Sequence, residues 1–212
     1  MLLLGMTFPA TLQLLLPISL MISLLQLSRD HEHVDRVILR RVLAFTLPAI
    51  GLALWATTYW SPPLEGFVAI LVLIFSLQDR VILIRNRLNQ ILKFQRSYFA
   101  VMGFVHGASN LGGSMLTALV FGTGLGKNVV RATIAAGYTL FATVQLITLY
   151  LAGVKWEIDF GNSVGVMVSG AAIFWITECC IYRRFDSKRY HTGLEVLLVI
   201  TGLLLIISAL QS

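Results

Sequence analysis

Apolar residues fall into seven long stretches separated by short polar connections, at about 2–27, 38–60, 64–84, 97–122, 131–153, 160–182 and 193–210. A hydrocarbon core of about 30 Å takes about 20 residues of helix to cross, so each stretch reads as a membrane helix. Helices suit that setting because they close every backbone hydrogen bond within one segment. Two stretches depart from the pattern. The third is apolar only through Leu77 before Gln78, Asp79 and Arg80 interrupt it, so it is short or snorkels at its end. The fourth carries HGASNLGGSMLT at 106–117, which concentrates glycine, serine, asparagine and histidine in the middle of an apolar run.

The cations between the stretches bear on how the fourth one lies. Arg29, Arg36, Arg40 and Arg41 follow the first stretch, and Arg80, Arg85, Arg87, Lys93 and Arg96 follow the third. Lys127 and Arg131 follow the fourth, Lys155 the fifth, and Arg183, Arg184, Lys188 and Arg189 the sixth. If all seven cross, one face receives ten of the sixteen cations and the other six. If 97–122 dips in and returns, one face receives fifteen. Positive charge collects on the cytoplasmic side of membrane proteins, which favours the second layout. The expected fold class is therefore all-α and polytopic, with six transmembrane helices, one re-entrant hairpin bent at its glycines, and both termini outside. Seven full spans, with a glycine packing face on the fourth, is the alternative. Trp60 and Trp156 would then lie at the outer interface.

The chain reads as a single membrane domain over 1–212 with an internal, inverted repeat. Val34 and Asp35 precede one span and Ile158 and Asp159 precede another; Pro62-Pro63-Leu64-Glu65 and Gly193-Leu194-Glu195 open two more. The halves are a three-span N-terminal repeat at 1–84 and a hairpin plus three spans at 97–212. A basic cytoplasmic loop at 85–96 joins them. Opposed halves of this kind organise many secondary transporters, which bind substrate near the midplane where helices are broken. The second half has a hairpin before its spans, whereas Met1 falls where a matching one would just have ended. The N-terminus also lacks the basic region and cleavage site of a signal peptide.

Composition agrees with the pattern: 57% of residues are hydrophobic, 12% charged, and mean hydropathy is +0.83. A soluble domain is about a quarter charged. The net charge of +6 lies in short inter-span clusters with no basic groove of interleaved aromatics, which points to lipid headgroups and membrane orientation and away from nucleic acid. The adjacent Cys179 and Cys180 make neither an easy disulfide nor a metal cage. Asp30-His31-Glu32-His33 lacks a second ligand set and reads as a solvated loop. Neither a metal nor any other cofactor is expected.

The chemistry sits in the fourth stretch. Backbone groups freed inside a bilayer must be satisfied by protein, ligand or cavity water. Gly112 and Gly113 relax the chain and let a ligand approach main-chain amides. Ser109, Asn110 or Ser114 can cap a half-helix from about 113 to 121, whose N-terminus would offer N–H groups to a small anion at mid-depth. Thr117 lies one turn beyond Gly113. The candidate binding set is thus Gly107, Ser109, Asn110, Gly112, Gly113, Ser114 and Thr117. His106 is either a proton or substrate contact or a hydrogen-bonded structural residue. Lys127 and Arg131 either draw anions or mark topology, and Thr139, Thr143 and Gln145 either line a path or pack helices. Glu178 reads as the partner of Arg183. No nucleotide loop and no nucleophile–base constellation is visible, so the chain is not expected to be an enzyme.

At GFVHGASNLGGSMLTALVFGTGLGKNVVRATIAAGYTLFATVQLITLYLAG, residues 103–153, the sequence resembles the TauE/SafE (sulfite exporter) family of membrane permeases. That family shows a spaced glycine segment, matched by Gly103, Gly107, Gly112, Gly113 and Ser114, followed by an Ala-Thr that opens the next span, here Ala132 and Thr133. The chain departs from it in lacking the first glycine-rich hairpin and in placing Asn110 and Leu111 inside the second. The resemblance implies gradient-driven alternating access of sulfite, a sulfonate or a similar small oxyanion across the cytoplasmic cell membrane by a multi-pass protein. The partners expected are that anion and the bilayer, with a homo-oligomer left open. A non-transporting scaffold or assembly factor on the same fold is the alternative.

Overall fold

The computed structural model describes residues 8–60, 95–156 and 160–177. The third and seventh expected spans, most of the basic loop, Glu178 and both cysteines lie outside them, and so do the repeat motifs Pro62-Pro63-Leu64-Glu65, Ile158-Asp159 and Gly193-Leu194-Glu195.

The described residues are helical. Helix α1 covers Phe8–Asp30 and is followed by a short 3-10 turn at His31–His33. Helix α2 covers Arg36–Trp60, α3 Gln95–Ser109, α4 Gly113–Gly122, α5 Lys127–Leu151 and α6 Phe160–Thr177. Three of them, α1, α2 and α5, are long and apolar enough to cross a membrane. Local chemistry sets the start of α2, where the Asp35 carboxylate accepts from the Val37 and Ile38 N–H groups at 2.8 and 2.9 Å. Within α2 the residues Val42–Thr46 form a π-helical stretch that ends two residues before Pro48. A proline ring crowds the carbonyl four residues back and removes one donor, and the wider turn relieves both.

Tertiary bonds sort the helix ends. Arg131 near the start of α5 pairs with Asp30 at the end of α1, Nε to Oδ2 at 2.7 Å. The Asp35 N–H donates to Thr133 Oγ1 at 2.9 Å. At the other end, Tyr59 donates to the Ala152 carbonyl and Gln13 Nε2 to the Lys155 carbonyl. The α1 helix therefore descends toward the end where α2 and α5 begin. Arg29, Arg36, Arg40, Arg41, Lys127 and Arg131 gather at that basic end. Exposed Trp55, Tyr59, Trp60, Tyr150 and Trp156 ring the opposite end, as membrane-interface aromatics do. The α6 helix runs alongside α1, with Gly170 against Ile18 and Arg29 stacked 5.1 Å from the Trp175 ring centre.

Helix α3 runs parallel to α2. Gly103 lies against Thr46 and Ala49, and Gly107 against Ile50 and Ala53. At both places a Cβ would collide with an α2 backbone carbonyl, so the Gly103/Gly107 spacing is a close-packing face. Thr46 Oγ1, at the end of the π-helical stretch, donates to the Phe99 carbonyl at 3.0 Å. The chain then turns back. Gly112 packs onto the Met102 carbonyl and His106, and the Tyr98 hydroxyl donates to the Met115 carbonyl at 2.8 Å. In one continuous helix residues 98 and 115 would stand about 25 Å apart. Since α3 leaves from the basic end and α5 starts there, 95–122 enters and leaves the bundle on one side. The hairpin core is Tyr98, Phe99, Met102, Val105, Met115, Leu116 and Val120, packed on Val130 and Phe141 of α5.

Candidate functional site

The break occupies residues 109–112. Asn110 adopts φ 62°, the left-handed conformation that asparagine tolerates better than most residues, and its N–H donates to the His106 carbonyl at 2.7 Å, closing α3. Helix α4 begins where expected, at Gly113, but its cap differs. Gly112 occupies the N-cap position and makes no side-chain cap bond. Ser109, Asn110 and Ser114 therefore do not cap α4, and the two serine hydroxyls are engaged elsewhere. Ser109 Oγ instead donates to the Val105 carbonyl at 2.6 Å and accepts from Leu111 N–H. Ser114 Oγ donates to the Leu111 carbonyl at 2.8 Å. Thr117 Oγ1 donates to the Gly113 carbonyl at 2.9 Å, which places it on the Gly113 face.

The first turn of α4 is largely satisfied from within. Ser114 N–H reaches the Leu111 carbonyl, and the Met115 and Leu116 N–H groups share the Gly112 carbonyl. Gly113 is covered by Tyr138 of α5, whose ring and hydroxyl occupy the space a Cβ would take. The N-terminus of α4 thus lies inside the bundle at the level of Tyr138, with the phenol as its lid.

One turn before the break stands the least satisfied chemistry among the described residues. His106 is 2% exposed and Gln145 of α5 is fully buried. His106 Nε2 and Gln145 Oε1 lie 3.2 Å apart, and the imidazole leans on the Phe141 ring with centroids 4.6 Å apart. His106 Nδ1 and Gln145 Nε2 are buried without a partner among the described residues. Each such group costs about 1–3 kcal/mol relative to its hydrated state. A buried polar pair left half satisfied calls for a partner such as an ordered water, an ion or a ligand.

The remaining candidates separate clearly. Gly107 is committed to the α2 backbone. Thr139, Thr143 and Thr148 donate to their own helix four residues back and only shape its surface. Arg131 is held by Asp30, with the two side chains 11% and 19% exposed. Asp30-His31-Glu32-His33 forms no metal-ligand group with other described residues, and Asp30 serves the ion pair. Ser109 bonds to backbone and not to His106. Tyr138 belongs to no motif in the sequence; a phenol at the eighth position of the apolar stretch 131–153 is its signal. Gln145 was noticed only as a path-lining residue, and nothing in the linear sequence pairs it with His106, 39 positions away. No family model, curated protein or solved structure matches the chain.

Proposed function

We propose that this protein is a membrane permease that moves a small oxyanion, sulfite in first place, across the cytoplasmic membrane, driven by an ion gradient. The observation that carries this reading is the broken hairpin inside the bundle with half-satisfied His106 and Gln145 beside it. Broken helices that enclose unpaired polar groups are how secondary transporters hold substrate away from lipid. Gly113 leaves the backbone bare where Tyr138 now lies, while Gly112 stays packed on Met102 and His106, so a shift of Tyr138 exposes the start of α4 at Gly113 to an anion. Lipid surrounds the helices, the basic end faces the cytoplasm, and catalysis has no part in the reading.

Proteoliposome uptake of labelled sulfite tests it. Wild type should show saturable uptake. Gly113→Ala, which crowds Tyr138, should lower the maximal rate about ten-fold or more if close packing there governs opening. Absence of saturable flux for sulfite, with the protein correctly folded, would overturn the proposal. One observation favours a second reading, a non-transporting scaffold: the hydroxyls of Ser109, Ser114 and Thr117 are all engaged with backbone carbonyls. On that reading wild type gives no flux and Gly113→Ala disturbs only stability.

A further inference from the structure

On the permease reading, the hydrogen-bonding capacity of His106 and Gln145 bears on which anion the site takes. A neutral imidazole has one N–H and one lone-pair nitrogen, and a carboxamide has an acceptor oxygen and a donor NH2. Joined by one hydrogen bond, they can be arranged in two ways. If His106 Nε2–H donates to Gln145 Oε1, the unused groups are the lone pair on His106 Nδ1 and the N–H bonds of Gln145 Nε2. If the amide is turned over, the unused groups are Nδ1–H and Oε1. Either way one acceptor and one donor remain, and these are the positions left buried without partners.

Among the described residues no charge stands near to change that count. The described carboxylates, Asp30, Glu32 and Asp35, sit at the basic end, with Asp30 bound to Arg131 and Asp35 capping α2. On the helices around His106 the titratable side chains are Tyr98 of α3, Tyr138 and Tyr150 of α5 and Tyr59 of α2. Helix α4 carries none. The cations of α2, α3 and α5, namely Arg36, Arg40, Arg41, Arg96, Lys127 and Arg131, lie toward the basic end. An imidazolium at 106 would have no counter-charge among the described residues.

We infer that His106 and Gln145 form a donor–acceptor site that takes an oxyanion carrying one proton, such as hydrogen sulfite, and rejects a permanently ionised sulfonate. The ligand's O–H donates to the unused acceptor of the pair, and that single bond carries the discrimination. A sulfonate has no O–H, so its oxygens face a lone pair and leave that acceptor buried and unpaired. The proton travels with the anion and no bond to sulfur changes.

Methanesulfonate and sulfite are close in size, which makes competition in proteoliposomes the test, in slightly acidic buffer. In wild type, unlabelled sulfite should compete with labelled sulfite about ten-fold or more better than methanesulfonate does. His106→Gln offers a freely turning amide that can present N–H to either ligand, so there the preference should fall to about three-fold or less. Equal competition in wild type overturns the inference while sulfite uptake leaves the permease reading standing. An unchanged preference in His106→Gln also overturns it. Should His106→Gln fail to fold, the wild-type competition decides alone. Wild type that moves no sulfite overturns both readings together.

Discussion

Glycines that look alike in the sequence do different jobs, and substitution should separate them. Gly107 and Gly103 let α3 approach the α2 backbone, and a methyl group at Gly107 meets the Ile50 carbonyl, which cannot move aside. Gly107→Ala should therefore destabilise the protein by about 1–3 kcal/mol, read as a lower midpoint of thermal unfolding in detergent. Gly122, with nothing near its added methyl and ordinary helical φ, should tolerate alanine or gain about 0.4–1 kcal/mol. The polar pair behaves differently again. His106→Leu or Gln145→Leu alone strands its buried partner, whereas the double replacement removes both unsatisfied groups. The double variant should unfold no earlier than either single one, and a lower midpoint for it would mean that the pair holds the bundle together.

At the scale of elements, neither arm of the hairpin can cross a bilayer alone. Fifteen residues of α3 rise about 22 Å and ten of α4 about 15 Å, against a core of about 30 Å. Ser97→Cys and Thr123→Cys, placed at exposed positions near the two mouths of the hairpin in a background without Cys179 and Cys180, should label from the same side with an impermeant maleimide. Labelling from opposite sides would restore a full span and remove the re-entrant reading. The start of α2 depends on a single carboxylate that caps two amides while its own N–H reaches Thr133 of α5. Asp35→Ala should cost about 0.5–2 kcal/mol through the lost cap, with Asp35→Asn recovering most of it in the same unfolding measurement.

For the whole molecule, the segregation of cations and aromatics defines an axis. One end carries Arg36, Arg40, Arg41, Lys127 and Arg131; the other carries Trp55, Tyr59, Trp60, Tyr150 and Trp156, with Trp60 83% exposed. The expected outer placement of Trp60 and Trp156 has its structural counterpart in their shared end of the bundle, tied by the bond from Tyr59 to Ala152. In intact cells Lys155→Cys should label from outside and Arg36→Cys only after permeabilisation; the reverse pattern would invert the orientation.

Long apolar runs, cation spacing and a glycine-rich interruption together determined the helical class, the positions of α1, α2 and α5 to within a few residues, and the fold-back at 109–112. Those features are legible because they are local or periodic: hydrophobic length sets a span, and glycine with asparagine sets a bend. Tertiary structure alone decided what each residue of the break touches. It committed Gly107 to the α2 backbone, turned the hydroxyls of Ser109, Ser114 and Thr117 inward to carbonyls, laid Tyr138 over Gly113 and set Gln145 against His106. These partners come from helices that meet only after packing, and the register of one helix against another depends on side-chain fit that no single segment encodes.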